Sequence, residues 1–286
     1  MAIFRYPGGK SRLLGHLAPW QDALADAGAV YAEPFAGGGS TLLAFAARHS
    51  GHRLVVNDAD PWMAAFWRCV AQNGPPGKLL RLLSTKPSVA LFRELRAAPP
   101  ADDEEAAYRA VFFNRTTFSG ILTSGPIGGY DSQNTTKWKI DCRYNAERLI
   151  DEIVSLRSLV SGRMEAHEED ALSFLAKNSW PAYLDPPYFH KGDMLYPAKF
   201  SAHKEMADWL GHRGAWVLSY DDCSEVRAMY SWAGEPDIPT MRYSIQDKKE
   251  EWRKTTEVIY ASDDIKPRRL FESRAEYGIP GQQGGA

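Results

Sequence analysis

The chain has 286 residues, 44% of them hydrophobic, and is long enough to bury a stable core without the help of disulfides or bound metals. Its 34 basic and 36 acidic residues give a net charge of -2, which excludes a histone-like cation, so any contact with nucleic acid needs a local basic surface. The three cysteines form no C-x-x-C pair, which argues against a zinc ribbon and against a secreted disulfide scaffold. No apolar run approaches the ~20 residues that span a bilayer, and the N-terminus lacks a signal-peptide core, so we expect a soluble intracellular protein.

The first quarter of the chain alternates strand and helix signals. The order is strand, glycine-rich turn, helix, strand and helix, at residues 30–32, 36–40, 41–48, 53–56 and 61–71. The second strand ends in Asn57 and Asp58, and Pro61 suits the first position of the helix that follows. This order predicts the opening of a doubly wound α/β sheet.

The middle of the chain loses this alternation. A breaker cluster at 73–77 is followed by a helical stretch at 78–115, in which the acidic run 102–105 is expected to open a new helix. Residues 120–140 are rich in glycine and polar side chains and predict a long hairpin or loop, and 144–160 predicts another helix.

Strand signals then return near Met164, and buried strands are expected at residues 182–184, 215–219 and 256–261. We therefore expect one α/β domain from residues 1–73 and 161–275, interrupted by a mainly helical insertion at 74–160 with its hairpin near 120–140. The Gly- and Gln-rich tail at 276–286 is expected to be disordered.

The glycine-rich turn is the first candidate for chemistry. Small residues directly after a strand let a ligand approach the backbone at the carboxyl edge of the sheet. Asp58, at the end of the next strand, is placed to accept hydrogen bonds from a ribose diol. The alternative is that the turn is only a tight connection.

A second candidate, Tyr6-Pro7-Gly8-Gly9-Lys10-Ser11, ends like a phosphate-binding loop. Phe4 stands where that pattern needs glycine, and no strand precedes it, so a phosphate loop is rejected. The segment is either an N-terminal turn with a solvated lysine or a place where Tyr6 and Lys10 close over a ligand.

The third candidate, Asp185-Pro186-Pro187-Tyr188, follows an apolar strand directly. Two prolines fix the backbone, so the Asp185 carboxylate and the Pro186 carbonyl can present two fixed acceptors to an exocyclic amine, with Tyr188 stacked on the base. A turn that merely ends the strand is the simpler alternative.

Together, YPGGK, AEPFAGGGS with NDAD, and YLDPPY resemble the Dam-type, alpha-group N6-adenine DNA methyltransferases over roughly residues 3–262. The resemblance implies a Rossmann-like S-adenosylmethionine-dependent methyltransferase sheet whose insertion at 74–160 recognises the DNA target. The catalytic residues that it implies are Asp185, Pro186, Pro187 and Tyr188. Those that it implies for the cofactor are Tyr6, Lys10, Glu33, Phe35, Gly37, Gly39, Asp58, Asp170 and Asp185.

The insertion is the expected DNA-binding surface, because residues 109–148 carry six basic and only three acidic side chains. Arg115 lies in a family-like Asn-Arg segment, and Gln133, in the polar stretch that follows, is among the side chains expected to be able to reach base edges or phosphates. The candidates that reach bases or phosphates are Arg115, Tyr130, Asn134, Lys137 and Lys139. The mixed-charge stretch 248–254 either contacts phosphates or is a plain connection.

The expected reaction moves a methyl group from S-adenosylmethionine to the N6 amine of an adenine flipped out of double-stranded DNA, and leaves S-adenosylhomocysteine. No metal is expected. The alternatives are cytosine N4, whose enzymes usually carry serine at the position of Asp185, adenine in RNA, and an inactive DNA-binding relative. A nicotinamide oxidoreductase is disfavoured because Leu42 stands where its last glycine would fall. We expect a monomer in the cytoplasm of a bacterium or a phage-infected cell, without a membrane partner; the sequence identifies neither the recognition site nor a cognate restriction nuclease.

Overall fold

A computed structural model describes residues 3–5, 10–190, 199–239 and 257–265. Tyr6, the stretch 248–254 and the tail 276–286, on which expectations fell, lie outside the described residues. In the described residues no helix is both long and apolar enough to cross a membrane.

The described strands form one six-stranded sheet in the order β3-β2-β1-β4-β5-β6. They are β1 (Val30–Glu33), β2 (Arg53–Asn57), β3 (Met164–His167), β4 (Ala182–Leu184), β5 (Trp216–Asp221) and β6 (Glu257–Ala261). Neighbouring strands are parallel except β5 and β6, which are antiparallel. The α/β sheet expected from the sequence is therefore confirmed.

Ten α-helices surround this sheet in the described part of the chain. They are α1 (Leu14–Ala27), α2 (Ser40–Arg48), α3 (Pro61–Ala71), α4 (Gly77–Leu83), α5 (Val89–Ala97), α6 (Asp103–Thr116), α7 (Ala146–Val160), α8 (Ala171–Lys177), α9 (His203–Leu210) and α10 (Ser224–Met229). Lys10–Arg12 form a short 3-10 turn before α1, a helix that the sequence pattern did not predict.

Two helix starts follow the predicted chemistry. The Asp60 carboxylate caps α3 by accepting the backbone N–H groups of Trp62 and Met63, and Pro61 takes the first helical position. The Asp102 carboxylate caps α6 by accepting the N–H of Glu105, and acidic residues fill its first turn. Both caps fix where their helices begin.

The chain order creates a switch point between β1 and β4. From β1 the chain moves outward to β2 and β3, and β4 then starts the other half of the sheet. Ligands of open α/β sheets bind at such a point, beyond the carboxyl ends of the strands. This edge of the sheet is therefore the expected place of the site.

The helical insertion shares its core with the sheet domain. Helix α6 packs along α3, and Phe92, Phe112 and Phe113 belong to the same buried apolar cluster as Phe66 of α3. The insertion is thus joined to the sheet through a continuous core in this structure.

Residues 120–140 form a loop, which is one of the two expected alternatives, and not a hairpin. None of them belongs to a strand; an isolated bridge joins Thr117 and Pro126. The Gln133 amide donates to the carbonyls of Ile127 and Gly129, and its oxygen accepts the N–H of Ile140. Side-chain bonds replace a strand ladder here, so Gln133 closes the loop and is not free to reach DNA.

Candidate active site

A cleft opens at the switch point, beyond the carboxyl ends of β1, β2 and β4. It gathers Phe35, Gly37, Asp58, Asp170 and Asp185, five of the predicted cofactor residues, from four separate segments of the chain. Its other lining residues are Pro34, Ala59, Asp60, Met63, Ala171, Pro187, Lys199 and Phe200. The structure therefore brings most of the predicted cofactor residues together.

The glycine turn and Asp58 form one side of this cleft. Gly37, with a φ of +46°, donates its N–H to Oδ2 of Asp58 at 2.8 Å, and Asp60 donates its N–H to Oδ1 at 2.9 Å. Burial raises the pKa of Asp58 to about 7, although these two backbone bonds favour the charged form. A carboxylate held in this way beside a cleft suits hydroxyl donors, such as those of a ribose.

Gly39 packs closely against α3 at the end of the turn. Its φ is +65°, and a Cβ at this position would lie 2.3 Å from two carbons of the Trp67 indole. Trp67 also donates its indole N–H to the Gly37 carbonyl at 3.0 Å. Gly39 therefore lets α3 pack against the turn, and it is not among the residues that line the cleft.

Glu33 lies beneath the turn, 1% exposed, outside the cleft lining. Its Oε1 accepts the Tyr31 hydroxyl at 2.8 Å and its Oε2 accepts the Thr41 hydroxyl at 3.1 Å. Burial raises the pKa of Glu33 to about 8, against the effect of both bonds. Glu33 thus joins β1 to α2 under the turn.

Asp170 is the cap of α8 and lies at the far side of the cleft. Its carboxylate accepts the N–H groups of Leu172 and Ser173, and hydrogen bonding by Ser173 lowers the pKa of Asp170. It is exposed, so a ligand in the cleft can reach it.

Asp185 follows β4 and is paired with a buried cation. Lys10 Nζ lies 2.9 Å from Asp185 Oδ1, and Ser219 donates its hydroxyl to the same oxygen at 3.3 Å. Among the described residues, Oδ2 accepts no hydrogen bond. Burial raises the pKa of Asp185, and the charge of Lys10 opposes this. Within the described part of the chain, one carboxylate oxygen is therefore fixed and the other is open to a ligand.

Tyr188 continues the same segment into an adjoining cavity. It is 8% exposed, and its hydroxyl donates to Oε1 of Glu257 at 2.8 Å. The cavity is lined by Tyr188, Phe189, His190, Phe200, Ser201, His203, Lys204 and Met229. Pro186 is buried between the residues that line the two cavities. The segment from Asp185 to Tyr188 therefore runs from the cleft of Asp58 into a cavity lined by several aromatic side chains.

The sequence profile of the D12 class N6 adenine-specific DNA methyltransferase family matches residues 6–256. The chain belongs to this family. Comparison with curated proteins gives no significant match. Membership makes the chain a methyltransferase of DNA adenine, of a family that uses S-adenosylmethionine and duplex DNA, and it confirms the resemblance seen in the motifs.

Glu257 is a residue of this D12-class site that no motif indicated. Both of its oxygens accept from Lys10 Nζ, at 3.2 and 3.1 Å, in addition to the Tyr188 bond. Burial alone would lower the pKa of Lys10, but the carboxylates of Asp185 and Glu257 together raise it. The ammonium is thus held charged between two carboxylates.

The predicted DNA-binding residues of this methyltransferase divide into two groups. Tyr130, Asn134, Lys137 and Lys139 are exposed on the loop at 120–140. Trp138, which is not one of the residues predicted to bind DNA, is 61% exposed there, and the Lys137 ammonium lies 5.3 Å from the centre of its ring. This combination of exposed aromatic and cationic side chains suits contact with nucleic acid.

Arg115 stands apart from that surface. Its guanidinium donates to the Ile3 carbonyl and is half-buried, and burial lowers its pKa. The neighbouring Asn114 binds the backbone N–H and carbonyl of Arg5. In this structure Arg115 therefore helps to tether the N-terminal segment to α6.

One group of metal-ligating side chains occurs in the described part of the chain. His190, Cys223 and Glu225 have ligand atoms within 4.8 Å of one another, and His190 already pairs with Glu225 at 3.3 Å. The group lies outside the lining of the cleft that contains Asp58 and Asp185.

Proposed function

We propose that this chain transfers a methyl group from S-adenosylmethionine to the N6 amine of an adenine flipped out of duplex DNA. The observation that carries the proposal is the position of Asp185. One of its oxygens is fixed by Lys10 and Ser219, and the residue lines the cleft of Asp58, three positions before Tyr188, which lines the adjoining cavity. A two-substrate transfer needs such a group between its two binding spaces.

The cleft residues fit S-adenosylmethionine. Asp58 offers a carboxylate to the ribose hydroxyls, Gly37 allows close approach to the backbone, and Phe35 supplies an apolar face. Asp170, which lines the cleft and is exposed, is proposed to lie near the adenine of the cofactor. When bound, S-adenosylmethionine supplies a methyl group already activated as an electrophile on a sulfonium.

The protein must then localise a weak nucleophile. The lone pair of adenine N6 is delocalised into the ring, so positioning and hydrogen bonding contribute more than a covalent intermediate. We propose that Asp185 Oδ2 and the Pro186 carbonyl accept the two N–H bonds and favour a tetrahedral nitrogen. Asp185 Oδ2 is also the acceptor for the proton that N6 releases, and Tyr188 stacks on the base.

The base has to leave the duplex to reach this segment, at a cost of a few kcal/mol. We propose that the loop at 120–140 holds the duplex through Tyr130, Asn134, Lys137 and Lys139, with Trp138 beside them. The exposure of these five side chains supports this assignment. Arg115 contributes by fixing the N-terminal segment that leads to Lys10.

The test is methyl transfer from labelled S-adenosylmethionine to unmethylated genomic duplex DNA, followed by methylation-aware sequencing. We expect N6-methyladenine confined to one short motif with the native chain. Asp185→Ala should lose about 1,000-fold or more in rate while the fold is retained. Label in RNA or on cytosine N4 would move the proposal to those substrates, and absence of cofactor binding would overturn it.

A further inference from the structure

The structure assigns to Glu257 the positioning of both Lys10 and Tyr188, through which it sets the geometry of methyl transfer. This inference rests on the proposed function and adds a residue to it. Glu257 is 6% exposed and is not among the residues that line either cavity, so it acts through its two partners.

The fold explains how a residue so late in the chain reaches the site. β6 runs antiparallel to β5, and Glu257 pairs in register with Asp221, the last residue of β5. The first residue of β6 therefore lies at the edge where the parallel strands end. Asp221 uses its own carboxylate to accept the N–H of Phe189, one residue after Tyr188. Two neighbouring strand positions thus support the same segment.

The contacts of Glu257 divide its carboxylate between two tasks. Its bonds to Lys10, at 3.1 and 3.2 Å, hold the ammonium where it also meets Asp185 Oδ1 at 2.9 Å. Because the Lys10 ammonium also donates hydrogen bonds to Glu257, it contacts only Oδ1 of the Asp185 carboxylate. Oδ2 is thereby left for a substrate amine. A lysine with Asp185 as its sole partner could move toward both oxygens of that carboxylate.

The second task concerns the ring of Tyr188. A tyrosine ring that stacks on a base needs a fixed plane, and the bond from its hydroxyl to Glu257 Oε1 anchors the far end of that ring. The ammonium of Lys10 lies 5.1 Å from the ring centre and adds a second restraint. Glu257 therefore couples the orientation of the stacking ring to the orientation of the Asp185 carboxylate.

The test uses the full chain with steady-state methylation of duplex DNA and separate measurement of cofactor affinity. Glu257→Gln keeps the shape but turns an amide toward Lys10, and it should lower kcat by about 100-fold, since small misplacements cost that much. We expect cofactor affinity and the KM for DNA to stay within about threefold. Glu257→Asp, which keeps the charge, should recover part of kcat.

A double-mutant cycle identifies the route. Tyr188→Phe keeps the ring and removes the bond to Glu257, and if both residues act as a unit the double variant should be no slower than the slower single variant. The matched control is Asp237→Asn. Asp237 accepts bonds from His16 and Trp20 and bridges to Ile259 of β6, so this control weakens packing beside the same strand. Its kcat should stay within about twofold.

The outcomes separate the two claims. A wild-type chain that methylates adenine while Glu257→Gln keeps its kcat would overturn the role of Glu257 alone. Equal losses in Glu257→Gln, Glu257→Asp and Asp237→Asn would also overturn it, because general destabilisation would then explain them. A wild-type chain without adenine methylation would instead refute the proposed function. If Glu257→Gln does not fold, the kcat values of Glu257→Asp and Tyr188→Phe are used instead. Losses in both variants support the role of Glu257, and wild-type kcat in both overturns it.

Discussion

Replacing Glu33 with glutamine should change how the stability of this protein depends on pH. The carboxyl group is 1% exposed, and burial raises its pKa from an ordinary 4.5 to about 8. The folded chain therefore keeps a proton on Glu33 up to about pH 8, whereas the unfolded chain loses it above about pH 4.5. Because the folded state binds more protons in this window, the contribution of Glu33 to stability falls as the pH rises through it.

The size of the effect follows from the two pKa values. The difference between 4.5 and about 8, at about 1.36 kcal/mol per pKa unit, corresponds to about 5 kcal/mol of unfolding free energy lost as the pH rises from about 4.5 to about 8. Glutamine carries no such charge. Its oxygen can still accept the Tyr31 hydroxyl, and its amide can donate to the Thr41 hydroxyl in place of the bond that Glu33 accepts.

The assay is urea unfolding of the wild type and Glu33→Gln at pH 5, 7 and 9. We expect similar free energies of unfolding at pH 5, and a variant that is more stable than the wild type at pH 9 by several kcal/mol, up to about 5. Glu147→Gln, at an exposed position in the first turn of α7, controls for the substitution itself. Parallel pH curves for wild type and Glu33→Gln would refute the reasoning, because Glu33 would then ionise alike in both states.

Three further predictions concern the cleft, the loop and the turn. Because the pKa of Asp58 is raised to about 7, the dissociation constant for S-adenosylmethionine, measured by calorimetry, should rise by about tenfold per pH unit below 7; a flat profile would contradict this. Lys137→Ala and Lys139→Ala should each reduce the salt dependence of duplex binding by about one unit in log-log slope, and unchanged slopes would place both residues away from phosphates. Gly39→Ala, whose Cβ would lie 2.3 Å from indole carbons, should lower the free energy of unfolding by about 3 kcal/mol or more. Gly37→Ala, whose Cβ would have no atom within 4 Å, should lower it by only about 1 kcal/mol. Equal losses of the two variants in thermal unfolding would contradict the packing argument.

The parts of the fold that the sequence predicted well are those with strong local signals. The apolar strands and the start of α3 at Asp60 and Pro61 depend on neighbouring residues, and they occur where expected. The cleft followed because the carboxyl ends of parallel strands meet at one edge, which brought Asp58 and Asp185 together. Local chemistry and sheet topology were sufficient for these features.

The features that the sequence missed depend on distant partners. The loop at 120–140 is closed by the side chain of Gln133. The alternation of polar and apolar residues in this stretch does not specify that contact. Arg115, which was expected to bind DNA because it lies in the family-like Asn-Arg segment, also bonds to the carbonyl of Ile3, 112 positions away, and no local signal indicated that contact. Glu257 reaches the site through the register of an antiparallel strand, which no motif encodes.

The most direct test of the central claim is the chemical identity of the methylated nucleoside. Duplex DNA from a host free of methylation, treated with the purified chain and S-adenosylmethionine, would be digested and analysed by mass spectrometry. The account predicts N6-methyladenine as the product, and a loss of at least about 1,000-fold in Asp185→Ala. N4-methylcytosine, or equal yields from the wild type and Asp185→Ala, would contradict it.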